Sequence, residues 1–265
     1  MLFRSLDFAE SQGVTPNIAS FVGATTIRKY VLNSDNRAPT EIELAKMKDL
    51  VREAMAEGAM GLGSSLIYAP ADFAKTDELI ELAKVASSFG GMYITHLRSE
   101  SDYIQSALSE AFKIAHEANI ATEIYHLKIN HARNWNKIDT VISRIDSARN
   151  TGLKITANMY PYTASGTGLT ARLPTWVQEG GMRAMRKRLR KPEIRKKVLN
   201  DLGRGIPQKN SDPKDVLILG FHQDSLNNLY RDKHLDEISK LHGKNADETL
   251  IDLILTDNSS HPIPC

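Results

Sequence analysis

The sequence has a single cysteine, Cys265, which excludes an internal disulfide and a metal cluster built from cysteine alone. It also lacks an apolar run of the roughly 20 residues needed to cross a bilayer, and it has no Gly-x-Gly-x-x-Gly motif opening a helix after a strand. Neither sign of charge dominates, since 34 Lys and Arg against 32 Asp and Glu leave a net charge of +2. We therefore expect a cytoplasmic protein with no nucleic-acid or membrane partner.

Apolar and charged residues make up 41% and 25% of the 265 residues, as in ordinary globular proteins. Short apolar runs alternate with amphipathic stretches every 30 to 40 residues or so, which is typical of parallel strands joined by helices. The predicted strands are 17–22, 59–63, 92–97, 122–127 and 154–160. The predicted helices between them are 40–57, which opens with a Thr40/Glu43 capping box, 76–88, 101–117 and 134–150.

This repeat favours a (β/α) barrel over a doubly wound open sheet, which usually carries the glycine motif missing here. A barrel closes with eight strands, whereas the pattern supplies five, or six if Val216–Phe221 is a strand. The chain also starts in what reads as the tail of a helix, residues 6–11, and stops after Cys265. The expected fold is an α/β, incomplete TIM-like barrel.

An irregular segment and a basic segment interrupt the repeat after Tyr160. Residues 162–181 are rich in Gly, Ser and Thr, and residues 183–197 hold nine Lys or Arg against one acid. We interpret them as a lid followed by a solvated helical face that turns Met182, Met185 and Leu189 inward. The predicted division is a barrel core at 1–162, an inserted helical segment at 163–212 and a continuation of the barrel at 213–265.

Two of the eight histidines, His96 and His126, stand thirty residues apart at the predicted carboxyl ends of successive strands. Barrel active sites are built at that end, and neighbouring strands about 4.8 Å apart let two imidazoles reach one cation. A zinc site is the resulting hypothesis, although each histidine on its own could simply cap its strand. His131 and His222 are weaker candidates for a further ligand, and His116, His234, His242 and His261 are expected elsewhere.

Five motifs, taken together, resemble the N-acyl-D-amino-acid deacylases of the amidohydrolase superfamily. They are Asn17–Gly23, Gly63–Pro70, His96–Glu100, Tyr125–Lys128 and Tyr160–Ala164. The resemblance runs from about residue 15 to about residue 182 and implies a zinc-dependent barrel that cleaves an N-acyl-D-amino acid to a carboxylate and a D-amino acid.

Carried over residue by residue, the resemblance makes His96 and His126 zinc ligands. It also implies that Lys128, Tyr160 and Ser165 hold the α-carboxylate of the substrate, with Ser165 and Gly166 in exchanged order relative to the family pattern. A lysine ammonium and a phenolic hydroxyl are suitable donors for a carboxylate.

The family also carries a His-x-His pair, a metal-binding cysteine on an early strand and a catalytic aspartate on the last strand, and none has a counterpart here. Asp257 follows a predicted helix, so we expect the catalytic aspartate beyond the C-terminus and assign no catalytic residue within the chain. The isolated chain is therefore expected to have little or no activity and to need the missing barrel segments as a partner. Two alternatives stay open: a cyclic-amide hydrolase of the hydantoinase or dihydroorotase type, and a non-catalytic half-barrel.

Overall fold

The computed structural model describes residues 4–204, 211–257 and 262–265. It divides the chain into two compact units, the first ending at Tyr160 and the second starting at Pro161. The second unit spans the residues predicted as the insertion, 163–212, and as the continuation of the barrel, 213–265, and residues 205–210 lie outside the described ranges. The boundary expected at residue 212 stays a prediction.

One parallel sheet forms the centre of the first unit. Its strands are β1 (Val22–Gly23), β2 (Gly61–Ser65), β3 (Met92–His96), β4 (Ala121–Ile124) and β5 (Ile155–Ala157). They lie side by side in chain order, and each pair of neighbours is parallel. A doubly wound sheet reverses its strand order at a switch point, whereas a barrel wall keeps it sequential. Among the described residues β1 and β5 each pair with one strand, so the wall is not closed.

Helices cover the sheet between successive strands, as the repeat predicted. Helix α1 (Arg4–Gln12) precedes β1, and the helices between the strands are α2 (Ala24–Leu32), α3 (Glu41–Ala56), α4 (Thr76–Ser88), α5 (Ile104–Glu117) and α6 (Ile138–Asn150). The predicted capping box is present at the start of α3, where Thr40 and Glu43 bond to each other's backbone amides. Helix α4 has the predicted bounds, and its buried Leu79, Leu82 and Ala86 recur at helical spacing. None of the helices in the described ranges is long and apolar enough to span a membrane.

The second unit is helical around its own core. Its helices are α7 (Gly181–Leu189), α8 (Pro192–Gly203), α9 (Asp224–Tyr230), α10 (Leu235–His242) and α11 (Ala246–Thr256). The basic segment is split between α7 and α8, and it buries Met185 and Leu189 as predicted. It is not wholly solvated, because the guanidinium of Arg186 is buried against the carbonyl oxygens of Ile254 and Asp257.

The strand predicted at Val216–Phe221 is wrong. This segment forms only an isolated antiparallel bridge between Leu217 and His234. Its alternation of buried Val216 and Ile218 with exposed Leu219 is real, but it packs into the core of the second unit instead of joining the parallel sheet. Alternation of buried and exposed residues shows that one face of a segment is buried, but it does not show which neighbour covers that face. The sequence pattern therefore gave the wrong partner here.

A buried ion pair joins two helices of the first unit. Arg28 on α2 bonds to the carboxylate of Glu78 on α4, and these side chains are 1% and 5% exposed. The guanidinium also donates to the carbonyl oxygens of Asp35 and Arg37 at 3.2 and 2.6 Å. Removing one partner of such a pair leaves a buried charge without its counter-charge.

Replacing Glu78 with glutamine is therefore expected to lower the free energy of unfolding by about 3–5 kcal/mol, because Arg28 stays buried with its charge unbalanced. Glu81→Gln is the matched control, since Glu81 lies on the same helix and pairs with Lys48 at 2.7 Å in a half-exposed position. That variant should lose less than about 1 kcal/mol. Urea unfolding followed by circular dichroism measures the free energy of unfolding of both variants. Equal decreases would contradict the larger contribution assigned to the buried pair.

Candidate metal centre

His96 is the last residue of β3, at the carboxyl end of the strand. Its side chain is largely buried, and its Nδ1 lies 3.1 Å from the carbonyl oxygen of Leu97. The register of β3 sets the height of this imidazole, because Thr95 pairs with Ile124 and so His96 stands level with Tyr125. The expected position at the carboxyl end of a strand is found for His96.

His126 reaches the site by a route different from the one expected from the sequence. Strand β4 ends at Ile124, so His126 is one residue further along than the position level with His96, and a regular strand would point it to the opposite face. Instead the backbone of His126 is left-handed, with φ of 40°. Asn158, just after β5, fixes this turn by accepting the His126 amide through Oδ1 at 2.6 Å.

The turn brings the two imidazoles together. Their ring centroids are 4.5 Å apart and their planes are perpendicular. Glu100 completes the group: its Oε1 lies 3.5 Å from Nδ1 of His96 and 3.1 Å from Nδ1 of His126. One ligand atom from each of the three residues lies within 4.8 Å of the others, close enough to hold a single metal ion.

Lys128 closes the group on the side of His126. Its ammonium donates to Oε1 of Glu100 at 2.6 Å and contacts Nδ1 of His126 at 2.8 Å. Arg98, which follows His96 at the same two-residue spacing, turns the other way and forms an ion pair with Glu110. The two basic residues that look equivalent in the sequence therefore have different surroundings.

The environment keeps the imidazoles neutral. Burial, reinforced by electrostatic repulsion from Lys128 and from His126 when it is protonated, lowers the pKa of His96 to about 3. Burial and the Lys128 ammonium also lower the pKa of His126. Burial raises the pKa of Glu100 to about 7, although the bond from Lys128 acts in the opposite direction. Neutral imidazole is the form in which histidine binds a metal.

Of the predicted substrate-binding residues, Tyr160 lies beside Lys128 and Ser165 belongs to the second unit. The Lys128 ammonium is 5.5 Å from the centre of the Tyr160 ring, and this ring is 6.3 Å from that of His126. Tyr160 lies three residues beyond the end of β5, past the end of the strand that was predicted to reach it. Ser165 is exposed, and its part in substrate binding stays a prediction.

The other histidines have separate surroundings. His116 is exposed on α5, and His131 precedes a short 3-10 helix outside the three-residue group. His222 belongs to the second unit, where its Nδ1 lies 3.1 Å from a carboxylate oxygen of the buried Asp257. Asp257 follows α11, as expected for a residue that is not on a strand. His261 lies outside the described residues.

Glu100 is the member of the group that sequence reasoning missed. It stands four residues after His96 in a loop, with no periodic pattern to mark it. The available signal was the His-Leu-Arg-Ser-Glu motif itself, which contains an acid next to a candidate ligand. Its burial, at 6% exposure, follows only from the folded loop, where the Asn130 amide also bonds to the Glu100 carbonyl oxygen at 2.7 Å.

No protein-family model matches the chain. Among curated proteins of Alcaligenes xylosoxydans xylosoxydans, a D-aminoacylase is 36% identical over 169 residues, which is 63% of this chain and 35% of the relative. An N-acyl-D-aspartate deacylase is 34% identical over 62% of this chain and 33% of its own length. An N-acyl-D-glutamate deacylase is 30% identical over 60% and 32%. The chain thus spans about a third of the length of these relatives.

Solved structures show the same fold. An N-acyl-D-glutamate deacylase from Bordetella bronchiseptica, complexed with zinc and a phosphonate inhibitor, aligns with a TM-score of 0.74 at 23% identity. A D-aminoacylase described as defining a novel subset of amidohydrolases aligns with a TM-score of 0.71 at 24% identity. Each alignment covers 97% of this chain and 45% of the solved chain.

The sequential parallel sheet is the wall of an incomplete (β/α) barrel, and the solved deacylase structures share this fold, which confirms the expected fold class. In sequence the chain is similar to N-acyl-D-amino-acid deacylases, and the resemblance carried by its motifs is confirmed. The names of these relatives specify N-acyl amino acids as substrates, so the cyclic-amide alternative is not favoured.

Proposed function

We propose that this chain supplies part of a zinc centre that hydrolyses the amide bond of N-acyl-D-amino acids to a carboxylate and a D-amino acid. The observation that carries the proposal is the convergence of His96, His126 and Glu100 at the carboxyl end of the sheet. It agrees with the chemistry named for the relatives, which are deacylases of N-acyl-D-amino acids.

The donor set fits zinc. Two neutral imidazole nitrogens and one carboxylate oxygen are ligands that zinc accepts, and catalytic sites built from two histidines and a glutamate are known. One ligand atom from each residue lies within 4.8 Å of the other two, which is close enough for all three to contact one ion. His96, His126 and Glu100 would therefore hold the metal.

Held by these residues, a zinc ion would supply Lewis-acid chemistry, which lowers the pKa of a water and polarises the scissile carbonyl. The residues of this chain act on the rest of the substrate. Lys128 and Tyr160 stand side by side next to the metal-binding group, so together they offer an ammonium and a phenolic hydroxyl to an α-carboxylate. Anchoring that carboxylate fixes which face of a chiral substrate meets the metal, and we assign the same task to Ser165.

We infer that the activity also needs barrel segments other than those present here. The chain contains no His-x-His sequence, and the residues that the family uses for the second metal position and for proton transfer have no counterpart in it. The part of the chain that aligns with the D-aminoacylase covers 35% of that relative's length. The non-catalytic half-barrel reading and the cytoplasmic location both remain predictions alongside this proposal.

The metal-binding roles predict that His96→Ala and His126→Ala each weaken zinc binding by more than about tenfold, because each removes one ligand from a small donor set. His116→Ala is the matched control, since His116 is exposed on α5 away from the group. Equilibrium dialysis with metal analysis gives the affinity. If all three variants bound zinc as tightly as the unaltered chain, the assigned centre would be wrong.

A separate assay concerns the reaction. The chain alone, supplied with zinc, should hydrolyse N-acetyl-D-methionine little or not at all, because the proton-transfer aspartate has no counterpart among its residues. Addition of a polypeptide that carries the missing strands should restore turnover, with Lys128→Met still defective in substrate binding. Liberated D-methionine measured by chiral chromatography reports the rate, and efficient turnover by the chain alone would contradict this expectation.

A further inference from the structure

The ammonium of Lys128 is held by three acceptors that converge on it. It donates to Oε1 of Glu100 at 2.6 Å, to Nδ1 of His126 at 2.8 Å and to the His126 carbonyl oxygen at 3.2 Å. A lysine ammonium has three donors and no acceptor, so these contacts use its full capacity. The Nδ1 of His126 must accept, and therefore its lone pair points at the same cation as the carboxylate.

Two of these acceptors also belong to the group that can hold a metal ion. Glu100 Oε1 is 3.1 Å from His126 Nδ1 and 3.5 Å from His96 Nδ1, so the carboxylate oxygen that accepts from the ammonium also lies beside both imidazoles. The Glu100 side chain is 5% exposed, which leaves it little access to water as an alternative partner. Its second oxygen accepts from the Asn130 side-chain amide at 3.3 Å.

We propose that Glu100 is a positioning residue for which Lys128 and a divalent cation compete, so that a cation bound at the imidazoles displaces the ammonium towards the α-carboxylate of the substrate. This inference rests on the proposed function for the identity of the substrate. It goes beyond that function because it couples two events: metal binding at the imidazoles frees the Lys128 ammonium to bind the substrate. Two cations that share one buried oxygen repel each other, so the binding of one weakens the contact of the other.

Lys48 and Glu81 provide the control pair. Their ammonium and carboxylate are 2.7 Å apart in the same unit, on the facing helices α3 and α4. The pair is half-exposed. Neither residue belongs to the group of His96, His126 and Glu100. Substitutions there remove the same charges without touching the proposed centre.

The first experiment measures zinc affinity by competition with a chromophoric chelator. Lys128→Met should bind zinc at least about tenfold more tightly than the unaltered chain, because the competing charge is gone. Lys128→Arg keeps the charge and should stay close to the unaltered chain, as should Lys48→Met. Glu100→Gln should bind zinc at least about tenfold more weakly, whereas Glu81→Gln should not change. Circular dichroism establishes that each variant is folded.

The second experiment follows reductive methylation of individual lysines by mass spectrometry. In chelator-treated protein, Glu100→Gln should raise the methylation rate of Lys128 by about three- to tenfold, the equivalent of one lost hydrogen bond. Glu81→Gln should raise the rates of its own partners, Lys48 and Lys84, and leave that of Lys128 unchanged. Saturating zinc should raise the rate of Lys128 in the unaltered chain and leave that of Lys48 unchanged.

The outcomes separate the two proposals. Saturable zinc binding with an unchanged methylation rate of Lys128, and with no gain in affinity for Lys128→Met, overturns the competition while the zinc centre stands. An absence of saturable zinc binding overturns the zinc centre and the competition together. Slow methylation of Lys128 in Glu100→Gln overturns the positioning role of Glu100 whether or not zinc binds.

Discussion

The carboxylate of Glu100 is the charge on which the arrangement of the candidate centre depends. A buried carboxylate is costly unless it is paired and hydrogen-bonded, and this one has an ammonium, an amide and two imidazoles within reach. Those partners come from the end of β3 and from the turn after β4. Satisfying one charge therefore ties the loop after β3, which carries Glu100, to the segment after β4, which carries Lys128 and Asn130, and it requires the two strands to be neighbours in parallel register.

The turn at His126 is the second constraint. Continuing β4 as a regular strand would direct His126 away from His96, because successive side chains alternate between the faces of a sheet. The left-handed backbone corrects this, and Asn158 holds it from the next strand along. Asn158 also accepts the Leu127 amide through its backbone oxygen at 2.7 Å and donates to Glu123 through its side chain at 2.5 Å. The position of one proposed ligand thus depends on strands β4 and β5 together.

Much of this arrangement follows from the sequence. The alternation of apolar runs and amphipathic stretches predicted the five parallel strands in order, and the capping residues and helical spacing predicted α3 and α4 closely. Strand ends were less accurate, since a strand ends where its hydrogen-bonded neighbour ends. The helix α2 was missed, and the segment at Val216–Phe221 was misread, because an apolar run reports burial but not the partner against which it is buried.

The sequence by itself determined the repeat of strand and helix, the pairing of two histidines with basic residues two positions later, and the family to which those motifs point. Only the tertiary structure decided that Glu100 joins the histidines and that Lys128 turns inward while Arg98 turns away. It also decided that His126 arrives through a left-handed turn. The physical reason is that periodicity and spacing act within one segment, whereas the pairing of a buried charge is settled between segments that meet only when the chain folds.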